Sequence, residues 1–206
     1  MKRYIVSIGR QLGSGGKEIG EKLAKKLGIS FYDKKLLEEA AKESGLDTAT
    51  FEGADEKESD SFFSNIVALR HSVTSYFVGN ENCMDSDKLF QIQSETIRNI
   101  ADRESCIIIG RCSEYVLREH PNLISVFITA DKEERIARIA MKEKVDSEKA
   151  KEMIERGDKE RKSYHDYYST TEWGMAHNYD LCINSSLLGI DNTVEFLFEY
   201  ITHRLQ

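Results

Sequence analysis

A chain of 206 residues is long enough for one domain with a substantial core, plus a small helical insert. Its 40% hydrophobic and 32% charged residues are the balance of a folded chain and exclude wholesale disorder. A net charge of −7 argues against a broad nucleic-acid surface, which needs an excess of Lys and Arg, but leaves room for a local basic pocket.

The elements follow in chain order. Tyr4-Ile5-Val6-Ser7-Ile8 predicts a short buried strand, and a glycine-rich turn comes after it. Ile19, Leu23 and Leu27 recur every four residues, one face of a helix starting near Lys17. Residues 29–32 predict a second strand and 34–43 a second helix. Leu89, Ile92, Thr96, Ile97 and Ile100 mark another amphipathic helix, which feeds Cys106-Ile107-Ile108-Ile109, a central strand buried on both faces. Residues 124–128 repeat that signature and 181–183 echo it more weakly. Val194, Leu197, Phe198, Ile201 and Leu205 close the chain with a helix. Strands alternating with helices imply a parallel sheet covered on both faces, a three-layer α/β domain over 1–206 with no internal linker.

Two segments stand outside the alternation. Residues 51–87 begin acidic and turn aromatic (Phe62, Phe63, Tyr76, Phe77), and 132–168 are rich in Lys, Arg and Glu. Each reads either as solvated helix faces or as an insert and a lid, since both arise at the carboxyl ends of α/β strands. The aromatics suit a contact between two copies of the chain as well as a substrate wall.

No apolar run approaches the ~20 residues that span a bilayer. Met1 leads into the first strand without a signal-peptide core, so a cytoplasmic protein with no membrane partner is expected. Cys83, Cys106, Cys112 and Cys182 form no C-x-x-C pair; Cys106 and Cys182 are expected as reduced core residues. His71, His120, His165, His177 and His203 show no metal spacing and are expected at the surface.

The chemistry concentrates after the first strand, in Gly9-Arg10-Gln11-Leu12-Gly13-Ser14-Gly15-Gly16-Lys17-Glu18. Glycines let the backbone fold into a nest of N–H groups, the next helix adds its positive dipole end, and Lys17 supplies a mobile cation. The pattern G-x-x-x-x-G-K-[ST] would put Gly at 11 and Ser or Thr at 18; this chain has Gln11 and Glu18. Strand before and helix after still make it a phosphate loop. Arg111, following Gly110 at the end of the central strand, either aims a planar fork into the crevice, suited to bidentate phosphate contact, or forms a surface salt bridge. Asp33, after the second strand, either orients an acceptor or caps a helix. Within 132–168, Arg135, Arg138, Arg156 and Arg161 are the candidate lid arginines, each of which also reads as an ordinary helix-surface Arg. Arg156 and Arg161 are the better pair, although a spacing of five needs a bend or a break at Gly157 before both can reach one ligand.

In this order the pieces resemble the cytidylate-kinase-like family of P-loop nucleoside-monophosphate kinases. The resemblance is carried by Gly13-Ser14-Gly15-Gly16-Lys17, Leu27-Gly28-Ile29-Ser30-Phe31-Tyr32-Asp33 and Ile108-Ile109-Gly110-Arg111-Cys112. It continues through Val126-Phe127-Ile128-Thr129-Ala130, Glu133-Glu134-Arg135 and Tyr179-Asp180-Leu181-Cys182-Ile183-Asn184-Ser185-Ser186. It implies a three-layer α/β/α P-loop fold on five parallel strands. ATP phosphates would lie on Gly13, Ser14, Gly15, Gly16, Lys17 and Glu18, with Mg2+ accompanying ATP. A phosphorylated acceptor, CMP- or dCMP-like, would lie near Asp33 and Arg111. Residues 51–87 would be the acceptor-binding insert, and Arg156 and Arg161 would close as a lid. Catalysis would then fall to Lys17, Arg111, Arg156 and Arg161. The chain departs from the family pattern at Cys112, Ile109, Glu39 and Glu18, and Glu18 offers itself as a magnesium-side carboxylate. Two alternatives stay open: a regulatory module that binds ATP without transfer, and a kinase of another small metabolite.

Overall fold

The computed structural model describes residues 3–34, 37, 41 and 81–206, the side chains of 81–86 excepted. Most of the expected helix at 34–43, most of the insert with its four aromatics, Glu39, His71 and the Cys83 side chain lie outside the described residues.

The described elements are β1 (Ile5–Arg10), α1 (Gly16–Leu27), β2 (Ser30–Tyr32), α2 (Glu81–Arg103), β3 (Cys106–Ile109) and α3 (Ser113–Val116). They continue with β4 (Leu123–Thr129), α4 (Lys132–Glu143), α5 (Ser147–Tyr168), a 3-10 turn (Ala176–Asn178), β5 (Leu181–Asn184) and α6 (Ser185–Arg204). The five strands form one sheet in the order β2-β3-β1-β4-β5, every pairing parallel. β1 lies at the centre, with Ile8 beside Ile109 of β3 and Val126 of β4.

The period-two alternation of a strand sorts these apolar runs onto two faces. Val6, Ile8, Ile107, Ile109, Val126 and Ile128 pack against Ile19 and Leu23 of α1 and Val194, Leu197 and Ile201 of α6. Ile5, Cys106 and Ile108 pack on the other side with Leu37, Ile97, Ile100 and Val116. Near-continuous apolar runs rich in β-branched residues are what such doubly covered strands require, and the three-layer expectation holds. Cys106 is buried as expected, whereas Cys182 is exposed: alternation on the edge strand β5 turns it outward and Ile183 inward.

Residues 132–168 are more than solvated faces. α4 and α5 enclose a small core of Ile139, Ala150 and Ile154, with Leu12 of the phosphate loop packed against it. α5 runs unbroken through Gly157, whose place there is steric: a Cβ would meet Leu12 Cδ2 at 2.8 Å. No described helix is long and apolar enough to cross a membrane.

Candidate active site

The loop joining β1 to α1 turns on Gly13 and Gly15, both left-handed at φ 79° and 78°, where side chains other than glycine are strained. A Cβ on Gly13 would also meet the Arg135 carbonyl at 2.8 Å. Ser14 is buried; its hydroxyl donates to the Gln11 carbonyl at 2.9 Å, and its own carbonyl accepts from Ser185 Oγ at 2.7 Å. Gln11, one of the two departures from the loop pattern, is a tie to β4. Its N–H donates to the Ile128 carbonyl at 3.0 Å and its Oε1 accepts from the Thr129 hydroxyl. α4 and α5 seat the loop from outside. Arg135 Nε donates to the Leu12 carbonyl and Asp158 Oδ1 accepts from the Leu12 N–H, each at 2.7 Å. Arg138 donates to the Gly13 carbonyl at 3.1 Å.

Lys17, in the first turn of α1, lies 2.7 Å from the Asp33 carboxylate and 3.8 Å from Glu21. The hydrogen bond to Asp33 raises its pKa. The structure thus brings together two of the sequence-predicted residues. Glu18 supplies the first turn of the helix, but its carboxylate lies 2.8 Å from Lys22, which also reaches Asp191 of α6. That turns its side chain along the α6 side of the helix.

Gly110, Arg111 and Cys112 are left-handed in succession, at φ 68°, 60° and 53°. For the latter two this is uncommon backbone, of the kind that clusters at functional sites. Arg10 closes over the turn: its Nη1 lies 2.2 Å from where a Cβ on Gly110 would be. Beyond it opens a cavity of ≈ 170 Å³ at the carboxyl ends of β1 and β3, into which Arg10, Arg111 and Arg161 all converge. Arg161 Nη1 donates to the Arg10 carbonyl at 3.3 Å, and the Arg111 guanidinium lies 5.6 Å over the Tyr164 ring. Burial, then the charges of Arg161 and Arg111, push Arg10 well below its ordinary value, and burial likewise lowers Arg161. A buried guanidinium pushed down by its own burial and by two neighbouring cations is relieved by an anion. Lys34 lines the same cavity.

Of the expected lid pair only Arg161 arrives. Arg156 is 63% exposed and 3.8 Å from Glu160, because an unbroken helix turns residues five apart to different faces. Arg10, Glu114 and His165 were not expected here. His165, expected at the surface, is 3% exposed, with Nε2 2.8 Å from Glu114 Oε1. A local signal exists for Arg161 and none for His165: Ala150, Ile154, Gly157, Arg161, Tyr164 and Tyr168 recur at steps of four and three, a single helical stripe running beneath the charges of α5.

A model of the cytidylate kinase-like family matches residues 5–187. An uncharacterized protein from Eubacterium ventriosum ATCC 27560 is 31% identical, with a TM-score of 0.73 over 97% of this chain and 99% of that one. The shikimate kinase of Bacteroides thetaiotaomicron superposes with a TM-score of 0.53 at 12% identity, over 97% of this chain and 98% of that one. The shikimate kinase of Acinetobacter baumannii, solved with shikimate, gives 0.52 at 12% identity, over 98% and 95%. The likeness to the shikimate kinases is one of fold. No curated protein matches. The fold is that of the P-loop kinases, and the family that matches is kinase-like. With nearly its whole length matched by the family model, the chain belongs to the cytidylate kinase-like family.

Proposed function

We propose that the protein transfers the γ-phosphoryl group of ATP, in the presence of Mg2+, to a nucleoside monophosphate. The observation that carries this reading is the convergence of Arg10, Arg111 and Arg161 on one cavity. Three guanidiniums call for a multiply charged partner, and a phosphate monoester is one that each can grip with two N–H groups. Arg10 links the cavity to the phosphate loop, since a Cβ on Gly16 would meet Arg10 Cβ at 2.6 Å.

In this mechanism the N–H groups of residues 13–16 and the start of α1 hold the donor phosphates. Lys17 leaves Asp33 for the outer phosphates. Arg111 and Arg10 hold the acceptor phosphate, and Arg161 neutralises charge on the transferring group, which is most of what phosphoryl transfer asks of a protein. α4 and α5, seated on Leu12, keep water out. The acceptor phosphate is ionised at neutral pH, so no general base is needed. Magnesium binds through substrate phosphates, water and one or two carboxylates. Asp33, given up by Lys17 in this mechanism, would suit that part better than Glu18, which its pairing with Lys22 turns along the α6 side of the helix.

The test is ADP release from ATP and magnesium with a panel of nucleoside monophosphates. Turnover with at least one acceptor is expected, abolished in Lys17→Ala and reduced roughly 100-fold in Arg161→Ala, as for loss of one preorganised charge donor. Arg156→Ala should stay close to wild type. ATP binding without turnover on any acceptor would turn the reading to a regulatory nucleotide-binding protein.

A further inference from the structure

The cavity that gathers the arginines is also lined by a carboxylate, Glu114, only 8% exposed. One of its oxygens, Oε1, accepts from His165 Nε2 at 2.8 Å. Among the described residues the other is approached only by Ser7 Oγ, at a long 3.4 Å, and that hydroxyl has a closer partner in Ser113 Oγ at 2.6 Å. A carboxylate offers about four lone-pair sites, so Glu114 keeps accepting capacity within a cavity it lines. Among the described residues no guanidinium pairs with it, and its ion-pair partner is His165. His165 is fixed in turn by Ser169 Oγ at 3.1 Å and Asp166 Oδ1 at 3.3 Å on its Nδ1 side.

The remaining wall is aromatic. Tyr164, Trp173 and Tyr179 line it, and Phe127 buttresses Trp173 and Tyr179 at ring distances of 5.2 and 5.1 Å. Aromatic faces suit a flat ring better than a hydrated sugar or polyol. A buried acceptor oxygen, for its part, discriminates against any occupant without a donor to give it.

We propose that Glu114, held by His165, determines acceptor specificity, and that the cavity takes a phosphate monoester bearing a planar heterocycle with an amino group on its edge. The arginines bind the phosphate, the aromatic wall takes the ring, and Glu114 accepts from the amine. Cytosine and adenine nucleotides are of this class; uracil and hypoxanthine nucleotides carry a carbonyl at the same edge position. The inference rests on the phosphotransferase reading for the acceptor's phosphate, but its test needs neither ATP nor turnover.

Trp173 is the only tryptophan of the chain, so its emission reports on this cavity. The whole protein is titrated without ATP, by fluorescence and by calorimetry, with CMP against UMP, AMP against IMP, ribose 5-phosphate and inorganic phosphate. The amino member of at least one pair should bind roughly tenfold or more tightly than its carbonyl partner, and more tightly than ribose 5-phosphate. In Glu114→Gln, whose amide presents a donor in place of the second oxygen, that preference should collapse or reverse while ribose 5-phosphate affinity holds.

Equal binding within both pairs overturns the proposal, as does ribose 5-phosphate binding as tightly as a nucleotide, or no binding of any organic phosphate. Uniform weakening for every probe in Glu114→Gln also overturns it, since it would mark a purely structural carboxylate. The wild-type pairs decide even if the variant melts early. Turnover without discrimination at the base edge sinks this inference alone; selective binding without turnover sinks the kinase reading alone.

Discussion

Lys17 and Asp33 form an ion pair at 2.7 Å that links the phosphate loop to the end of β2. The lysine side chain is 58% exposed, so the pair is screened by solvent and contributes little to stability. Its consequence is competition, because triphosphate binding has to displace Asp33. Asp33→Asn is expected to tighten ATP binding roughly two- to fivefold when magnesium is absent, the range of an exposed ion pair. The gain should shrink as salt is raised. With magnesium present, the same variant should lose turnover, because the carboxylate assigned to the metal is gone. Calorimetry at two salt concentrations beside the ADP-release assay checks both signs. Weaker metal-free binding in Asp33→Asn would refute the competition.

Arg135 and Asp158 meet on the backbone of Leu12 and on each other, and Arg135 is 7% exposed. Removing one partner of a buried pair leaves an uncompensated charge, which costs about 3–5 kcal/mol. Asp158→Ala should lose stability of that order in urea unfolding and weaken ATP binding as Leu12 comes untied. Arg156→Ala, on the outer surface of the same helix, should stay within about 0.5 kcal/mol of wild type. Comparable losses in the two variants would mean that the tie to Leu12 carries no special weight.

Burial opposes the charge of His165, but its hydrogen bonds to Glu114 and Asp166 and their charges prevail, and its pKa is raised above 6.5. The groups facing it are Glu114 from α3, Asp166 and Ser169 from the end of α5, and Ser7 and Ser113 behind Glu114. Asp166 is held below its ordinary value, by Lys162 and the Trp173 N–H among others and against its own burial, so it stays ionised throughout the neutral range. A folded pKa above the unfolded one stabilises fully below the unfolded value and loses that contribution as pH climbs through the folded value. The melting temperature should therefore fall as pH rises from about 6.5 through the raised pKa. His165→Gln should flatten that slope; an unchanged slope in the variant would assign it to another group.

Much of the fold was legible locally. A strand covered on both faces needs a near-continuous apolar run: 106–109 is unbroken, and 5–8 and 124–128 are interrupted only by Ser7 and Ser125. The turns at Gly13 and Gly15 were legible for a related reason, since a positive φ is a property of the residue that adopts it. Arg161 was half legible. Helical period puts it in line with Ile154, Gly157 and Tyr164 and sets Arg156 apart, but nothing local says which stripe of α5 will pack on Leu12.

The sequence by itself determined the alternation of strands and helices, the phosphate loop and the family, because periodicity, glycine and a short motif act over neighbouring residues. The tertiary structure alone decided that Arg10, Arg111 and Arg161 share a cavity, that Gln11 serves β4, and that His165 is buried on Glu114, 51 residues away. Those partners are distant along the chain. Their meeting depends on strand order and on how α5 packs, and no local pattern of residue types records either.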